Sequence, residues 1–522
     1  MPGMEVNVQD DRSFTPLDLA IEKGHVEVVE LLLEYTSTSD LERKHDCSGN
    51  TPLHIATKNG HVELTNLLLE HANKLHFNKE NADQNGAHLN SEEGHVDEVK
   101  GVLEHSESYI KEKNNDGNTP LHLAMEEGHT KVVQFLLKYC ITLDLEVENV
   151  AGQTPLHLAI LGEHDEVVKV WLEHAELNLK VKNKDGNTLL HLASLVGHVK
   201  VVNIMLEYRR ELDFFSKNKD GNSIFHLATK GGHVDVVKVF MEDSLAKCLL
   251  NGRNNDRNMP LHLAIEEGHV NVVNTLLEIA GNELKLNHKN MDGNTPLHLA
   301  TEGGHDDVVT MLLEGGHDNV VTKLLDSKAT NNVQKELNLK VKNKDGNTPL
   351  HLASLGGHVK VVNIMLEHRT KLDFFSKAKD GNTIFHLATK GGHVEVVKVF
   401  MEDSDVKYLL NYHNDYWNTP LHLASEEGHV NVVNTLLEIA GNKLKLNKTN
   451  KDENTPLHLA AKGGHVNVVN TLLEFTGNKL NLNEKNEDGN TPLHLAVEGG
   501  HVNVVNTLLE FTGNKLNLNE KN

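Results

Sequence analysis

One segment recurs along this chain at a nearly fixed interval, and that interval limits what the chain can fold into. Its marker slot falls at Pro16, Pro52, Gly86, Pro120, Pro155, Leu189, Ile224, Pro260, Pro296, Pro349, Ile384, Pro420, Pro456 and Pro492. These fourteen copies lie 34 to 36 residues apart, except for one gap of 53. A period of this size predicts a stacked solenoid in which each repeat contacts only its neighbours. The composition fits, because only 4% of residues are aromatic. Many small cores of Leu, Val and Ala replace one large core filled by rings.

The last repeat, NEDGNTPLHLAVEGGHVNVVNTLLEFTGNKLNLNEK, reads as two helices behind a turn. Asp488-Gly489 is a turn signal. Thr491 suits a helix N-cap, and Pro492 suits the first helical position, where no N–H is needed. Leu493, Leu495 and Ala496 are core candidates of a short first helix that ends at Gly499-Gly500. Val502, Val505, Leu508 and Leu509 form the apolar stripe of a second helix, closed by Gly513.

The pattern DGNTPLHLA…GH…VV…LLE resembles the ankyrin repeat, whose cue is T-P-L-H-x-A. Eight copies keep TPLH followed by Leu or Ile and then Ala, and the resemblance covers nearly the whole chain. It implies an all-α solenoid of about fourteen helix–turn–helix repeats with projecting β-turn fingers. It also implies a binding role, on a concave finger and first-helix surface. The third copy, ADQNGAHLNSEEGH, departs by lacking the Thr-Pro start. Losing that cap costs about 1 kcal/mol, and Asn90 replaces the small core Ala, so this repeat is expected to be a weak point. The expected layout is a leader over 1–14, repeats 1–9 over 15–326, and a linker with repeats 10–14 over 327–522.

The 36 histidines invite a metal reading. Two repeat slots account for 27 of them, the His of PLHLA and the His of GH. Zinc needs three or four ligands within about 2.1 Å. Equivalent histidines of stacked helices stand about 8–10 Å apart. The expected role is therefore structural, as buried rings bonded to backbone. Catalysis needs an asymmetric constellation of unlike groups, whereas here each His and Glu belongs to a copied slot. No cofactor and no metal is expected. A zinc enzyme built on the histidines is the competing reading, which metal analysis of the purified protein would remove.

The formal net charge of −24 argues against nucleic acid and anionic membrane surfaces, and leaves protein partners, basic ones among them. Three widely spaced cysteines, Cys47, Cys140 and Cys248, make no CxxC pair and suit a reducing, cytoplasmic setting. Neither a secretory signal nor a membrane-length apolar run is visible.

Two duplications stand out. Residues 177–287 and 337–447 are near copies offset by 160. Inside the 53-residue gap, GGHDDVVTMLLE (303–314) is followed by GGHDNVVTKLLD (315–326), a second helix written twice. With the polar run 327–335 behind it, this predicts a hinge dividing the array into two parts.

Candidate partner-binding residues come from differences between the sister blocks. Tyr412, His413, Tyr416 and Trp417 stand where the first copy has Gly252, Arg253, Asp256 and Arg257. Trp417 occupies a turn slot that is Gly in most repeats. Exposed Trp and Tyr are enriched in binding hot spots. Phe215 and Phe375 replace the Lys180 and Lys340 of the preceding repeats. The remaining candidates are Arg253 and Arg257. The acidic first-helix pairs Glu266-Glu267 and Glu426-Glu427 read as a solvated face. The reading is a non-enzymatic protein-binding scaffold, with an adaptor or effector fragment targeting an activity carried elsewhere as the alternative. The last repeat carries the interior pattern rather than a polar cap, so its outer face is expected to pack on a partner or on a second copy of the chain, unless the natural chain continues.

Overall fold

The computed structural model describes residues 7–44, 48–83, 109–139, 145–174, 179–314, 337–476 and 480–512. It divides into two compact halves, Met1–Asn255 and Asp256–Asn522. Among the described residues there is no strand, only an isolated bridge between Lys182 and Thr188. Each described repeat is a short first helix, such as Pro456–Lys462, followed by a longer second helix, such as Val430–Ala440.

Local chemistry fixes the helix starts. Thr455 is extended (φ −84°, ψ 166°), and its hydroxyl accepts the His458 N–H. The His458 ring turns back, so that Nδ1 accepts the Thr455 N–H at 3.1 Å and lies 2.8 Å from Thr455 Oγ1. Threonine and histidine thus satisfy each other's backbone donors, which the first turn leaves orphaned. With Nδ1 accepting, the ring hydrogen sits on Nε2, which donates into the next repeat. His351 reaches the Ser376 carbonyl at 3.0 Å, His386 the Asn418 carbonyl at 3.0 Å, and His422 the Asn454 carbonyl at 3.0 Å. Burial away from water lowers the pKa of His122, His157, His191, His298, His351, His386, His422 and His458 to about 4, with the accepting carbonyls opposing the shift. Repeat 1 solves the same problem with a carboxylate. Asp18 accepts the Thr15 N–H at 2.8 Å and the Thr15 hydroxyl at 2.6 Å.

Two further links join neighbouring repeats. The GH histidine donates Nε2–H to the carbonyl at the end of the previous first helix, as in His393 to Leu355 (2.7 Å) and His465 to Glu426 (2.8 Å). Its ring lies against the left-handed glycine of that repeat; a Cβ on Gly357 would sit 2.2 Å from the His393 ring. At the finger base, Asn450 Oδ1 accepts the backbone N–H groups of Asp452 and Asn454. Asn450 Nδ2 donates to Asn418 Oδ1 of the repeat before at 2.9 Å, one rung of an asparagine ladder.

These links correct the expected hinge. Repeats 9 and 10 stack directly across the 53-residue gap. His298 donates to the Asn347 carbonyl (3.1 Å), Asn343 to Asn294 (2.9 Å) and His358 to the Glu302 carbonyl (2.9 Å). The same set of bonds joins repeat 2 to repeat 4. His54 donates to the Asn118 carbonyl (2.9 Å), Asn114 to Asn50 (3.0 Å) and His129 to the Lys58 carbonyl (2.7 Å). Repeats 2 and 4 are therefore joined directly. Most of repeat 3, Asn90 included, lies outside the described residues, as do the second helix copy 315–326, Gly513, Cys47 and Cys140.

The joint between repeats 5 and 6 departs from the rule. In repeat 5, Glu163 fills the left-handed glycine slot at φ 62°. Its Cβ occupies the space a histidine ring needs, and His198 of repeat 6 binds differently. Nδ1 of His198 lies 2.5 Å from the Glu163 carboxylate, and its buried Nε2 has no partner. Gln153 replaces the ladder asparagine and accepts from its own Asn149 at 3.3 Å. His157 Nε2 faces the Asn187 carbonyl without a well-aligned bond. The finger-to-finger bond, Lys184 N–H to the Ala151 carbonyl, stretches to 3.4 Å, against 2.9 Å for Lys219 to Asp185.

Candidate interaction surface

The aromatic candidates of the second half lie on the loop into repeat 12 and its finger. The segment Leu372–Phe375 leaves repeat 10 with one phenylalanine in and one out: Phe374 is buried, while Phe375 is 54% exposed. Phe215 repeats this in the first half, with Phe214 as its buried companion. Val406–Asn411 forms a short 3-10 turn after the second helix of repeat 11, and delivers Tyr412 beside Phe375. Their ring centroids are 6.5 Å apart in an edge-on arrangement. His413 stacks on Tyr412 at 6.0 Å with planes 13° apart, and Trp417 tilts onto His413 at 6.3 Å. Lys377 Nζ sits 5.2 Å over the Tyr412 ring and 3.7 Å from Asp415. This array of rings is favourable in itself, yet it leaves a large part of the ring surface in water.

The backbone at Trp417 is held against its preference. Its φ is +61°, a region that disfavours side chains bearing a Cβ. Trp417 N–H donates to the Asn414 carbonyl at 3.1 Å, and Asn414 Oδ1 accepts the N–H groups of Tyr416 and Asn418. The finger thus imposes a glycine-like conformation on a tryptophan that is 52% exposed. Such strain costs of order 1 kcal/mol and is concentrated at functional positions.

The structure brings Phe375, Tyr412, His413 and Trp417 together, with the exposed Tyr416 on the same turn. Phe215 is exposed in the first half, where Gly252 stands at the position matching Tyr412. Arg253 is exposed, and its carbonyl accepts Lys217 Nζ at 2.6 Å. Arg257 is exposed at φ +61°, the left-handed slot Trp417 fills in the sister copy. Sequence reasoning missed Lys377, whose place over Tyr412 depends on the register of adjacent loops. The histidine-rich slots point elsewhere: their rings tie backbone within and between repeats.

A family model of ankyrin repeats in groups of three matches residues 2–81, 72–148, 141–215, 163–251, 210–287, 242–323, 314–407, 376–447 and 438–521. The chain belongs to the ankyrin-repeat family, whose repeats are generally protein–protein interaction modules and typically non-enzymatic. No curated protein matches the chain. Among the described residues no helix is long and apolar enough to cross a membrane.

Proposed function

We propose that this chain is a non-enzymatic scaffold that binds protein partners through its concave finger and first-helix surface, with the aromatic cluster around Trp417 as an anchor. The observation that carries this reading is the pairing of exposure with strain at Trp417. A residue chosen for folding would be glycine there, as at Gly381 and Gly489, where φ is +73° and +79°. The exposed thiol of Cys248 suits a cytoplasmic setting. Self-association is a second part of the proposal. Leu509, in the second helix of the last repeat, is 40% exposed, while its interior counterpart Leu473 is 1% exposed.

Trp417→Gly tests the anchor. Relief of the left-handed strain raises folding stability by about 1 kcal/mol. Loss of a tryptophan anchor weakens partner binding by about 2 kcal/mol or more. The two effects have opposite signs, so general damage cannot imitate them. A lower melting temperature, with unchanged affinity for every protein the wild-type chain retains, returns Trp417 to a packing role.

A further inference from the structure

The aromatic cluster does not stand alone on its ridge. The finger tips of repeats 11 to 14 join edge to edge through backbone bonds. Asp415 N–H donates to the Asp380 carbonyl at 3.2 Å, Lys451 to Tyr416 at 3.0 Å, and Glu487 to Asp452 at 3.1 Å. The tips read Lys379-Asp380, Asp415-Tyr416-Trp417, Lys451-Asp452-Glu453 and Glu487-Asp488, and all of these residues are exposed. Two ammonium groups thus face six carboxylates, with Tyr416 and Trp417 among them. One carboxylate, Asp415, is already turned toward Lys377. The tips of repeats 5 to 7 in the first half are Val150-Ala151, Lys184-Asp185 and Lys219-Asp220, where charges balance. Among these tips, the acidic, aromatic run is that of repeats 11 to 14.

We infer that this ridge is a docking strip for an extended basic segment of a partner protein, rich in arginine or lysine. The inference rests on the reading of Trp417 as a binding anchor and adds the chemistry of what it anchors. An exposed indole and phenol face attract a guanidinium, as Lys377 over Tyr412 already illustrates within the chain. The flanking carboxylates accept charge-assisted hydrogen bonds from the neighbouring cations. Stacked helical repeats advance about 8–10 Å, close to one turn of an extended polyproline II chain, three residues at about 3.1 Å each, which returns every third side chain to the same face. A segment with a cation at every third position therefore offers one to each successive finger. An acidic segment meets like charge along most of the strip.

The experiment uses the full chain and a ten-residue peptide of four arginines spaced every third position on a serine background, with its four-glutamate counterpart as control. Tryptophan fluorescence reports the site directly. The chain has two tryptophans, and Trp171 is fully buried, so Trp417 is the one solvent and peptide can reach. The arginine peptide is expected to change Trp417 emission saturably, more weakly as salt rises, and the glutamate peptide to leave it unchanged. Followed by calorimetry, Asp452→Asn with Glu453→Gln, Glu487→Gln and Asp488→Asn weakens the peptide at least tenfold. The same charge removed elsewhere, by changing Glu126, Glu127, Glu266 and Glu267 to Gln, changes affinity less than twofold. Equal losses from both quadruple variants would show only attraction to net charge and overturn the strip. Equal binding of both peptides, or no binding, would overturn it too. If the peptide fails while Trp417→Gly still weakens a retained protein, this inference falls and the anchor stands. If Trp417→Gly changes neither, both fall.

Discussion

Mild acid should dismantle this array from within. Eight buried histidines have folded pKa values of about 4, against 6.5 for the free side chain. Each is neutral in the fold, with Nδ1 accepting from the capping residue. Unfolded, each takes up a proton near pH 6.5. Between pH 6.5 and pH 4 the unfolded chain binds more protons than the folded one, so stability falls as pH falls through that window. At pH 5.5 each histidine costs about 1 kcal/mol relative to pH 7.5, on the order of 10 kcal/mol for the eight together. Complete unfolding at pH 5.5 should take up about seven protons through these groups. The measurement is urea unfolding followed by circular dichroism at both pH values, with proton uptake read in weakly buffered solution. His386→Gln should lower that uptake by about one proton. Acidification also reduces the self-repulsion of a chain with net charge −24, which acts in the opposite direction. A midpoint that holds or rises from pH 7.5 to 5.5 would refute the histidine argument.

Further outcomes follow from the joints. Glu163→Gly removes the strained left-handed side chain and readmits the usual ring position of His198, and should stabilise repeats 5 and 6 by about 1–2 kcal/mol; an unchanged or lower midpoint would show that the His198–Glu163 contact is the better arrangement. Deleting residues 315–332 shortens the 53-residue gap to 35, the ordinary spacing, and should leave melting within about 0.5 kcal/mol of wild type. Aggregation or loss of helical signal in that variant would mean that repeats 9 and 10 need the intervening chain. Val505→Lys with Leu509→Lys should suppress any association seen by light scattering at rising concentration; scattering unaffected by the pair would move the contact elsewhere.

The helix pairs were legible because Thr, Pro and His recur at fixed offsets, and each offset has a local physical reason. The hinge expectation failed because it took distance along the sequence for distance in space. Repeats 9 and 10 keep every joint-forming group, Asn294 and His298 on one side, Asn343, Asn347 and His358 on the other. Those groups decide the stacking, whatever lies between them. The aromatic cluster was legible residue by residue, since Tyr412 and Trp417 break a repeat pattern. Its assembly was not, because the approach of Phe375 and Lys377 to Tyr412 is set by two loops lying side by side. Glu163 and Gln153 were also readable as exceptions, in a glycine slot and an asparagine slot. Their coincidence at one joint becomes visible only when repeats 5 and 6 face each other.

That coincidence gives the first half a mechanical fuse. Pulled from its ends, a row of repeats transmits the same tension through every joint, and a joint with few aligned bonds opens before its fully bonded neighbours. Between repeats 5 and 6 the ladder rung, the two histidine ties and the close finger bond are all missing or lengthened at once. Load is therefore released here before the fully bonded joints between repeats 4 and 5 or 6 and 7 open, and the repeats on either side keep their stacking while it yields.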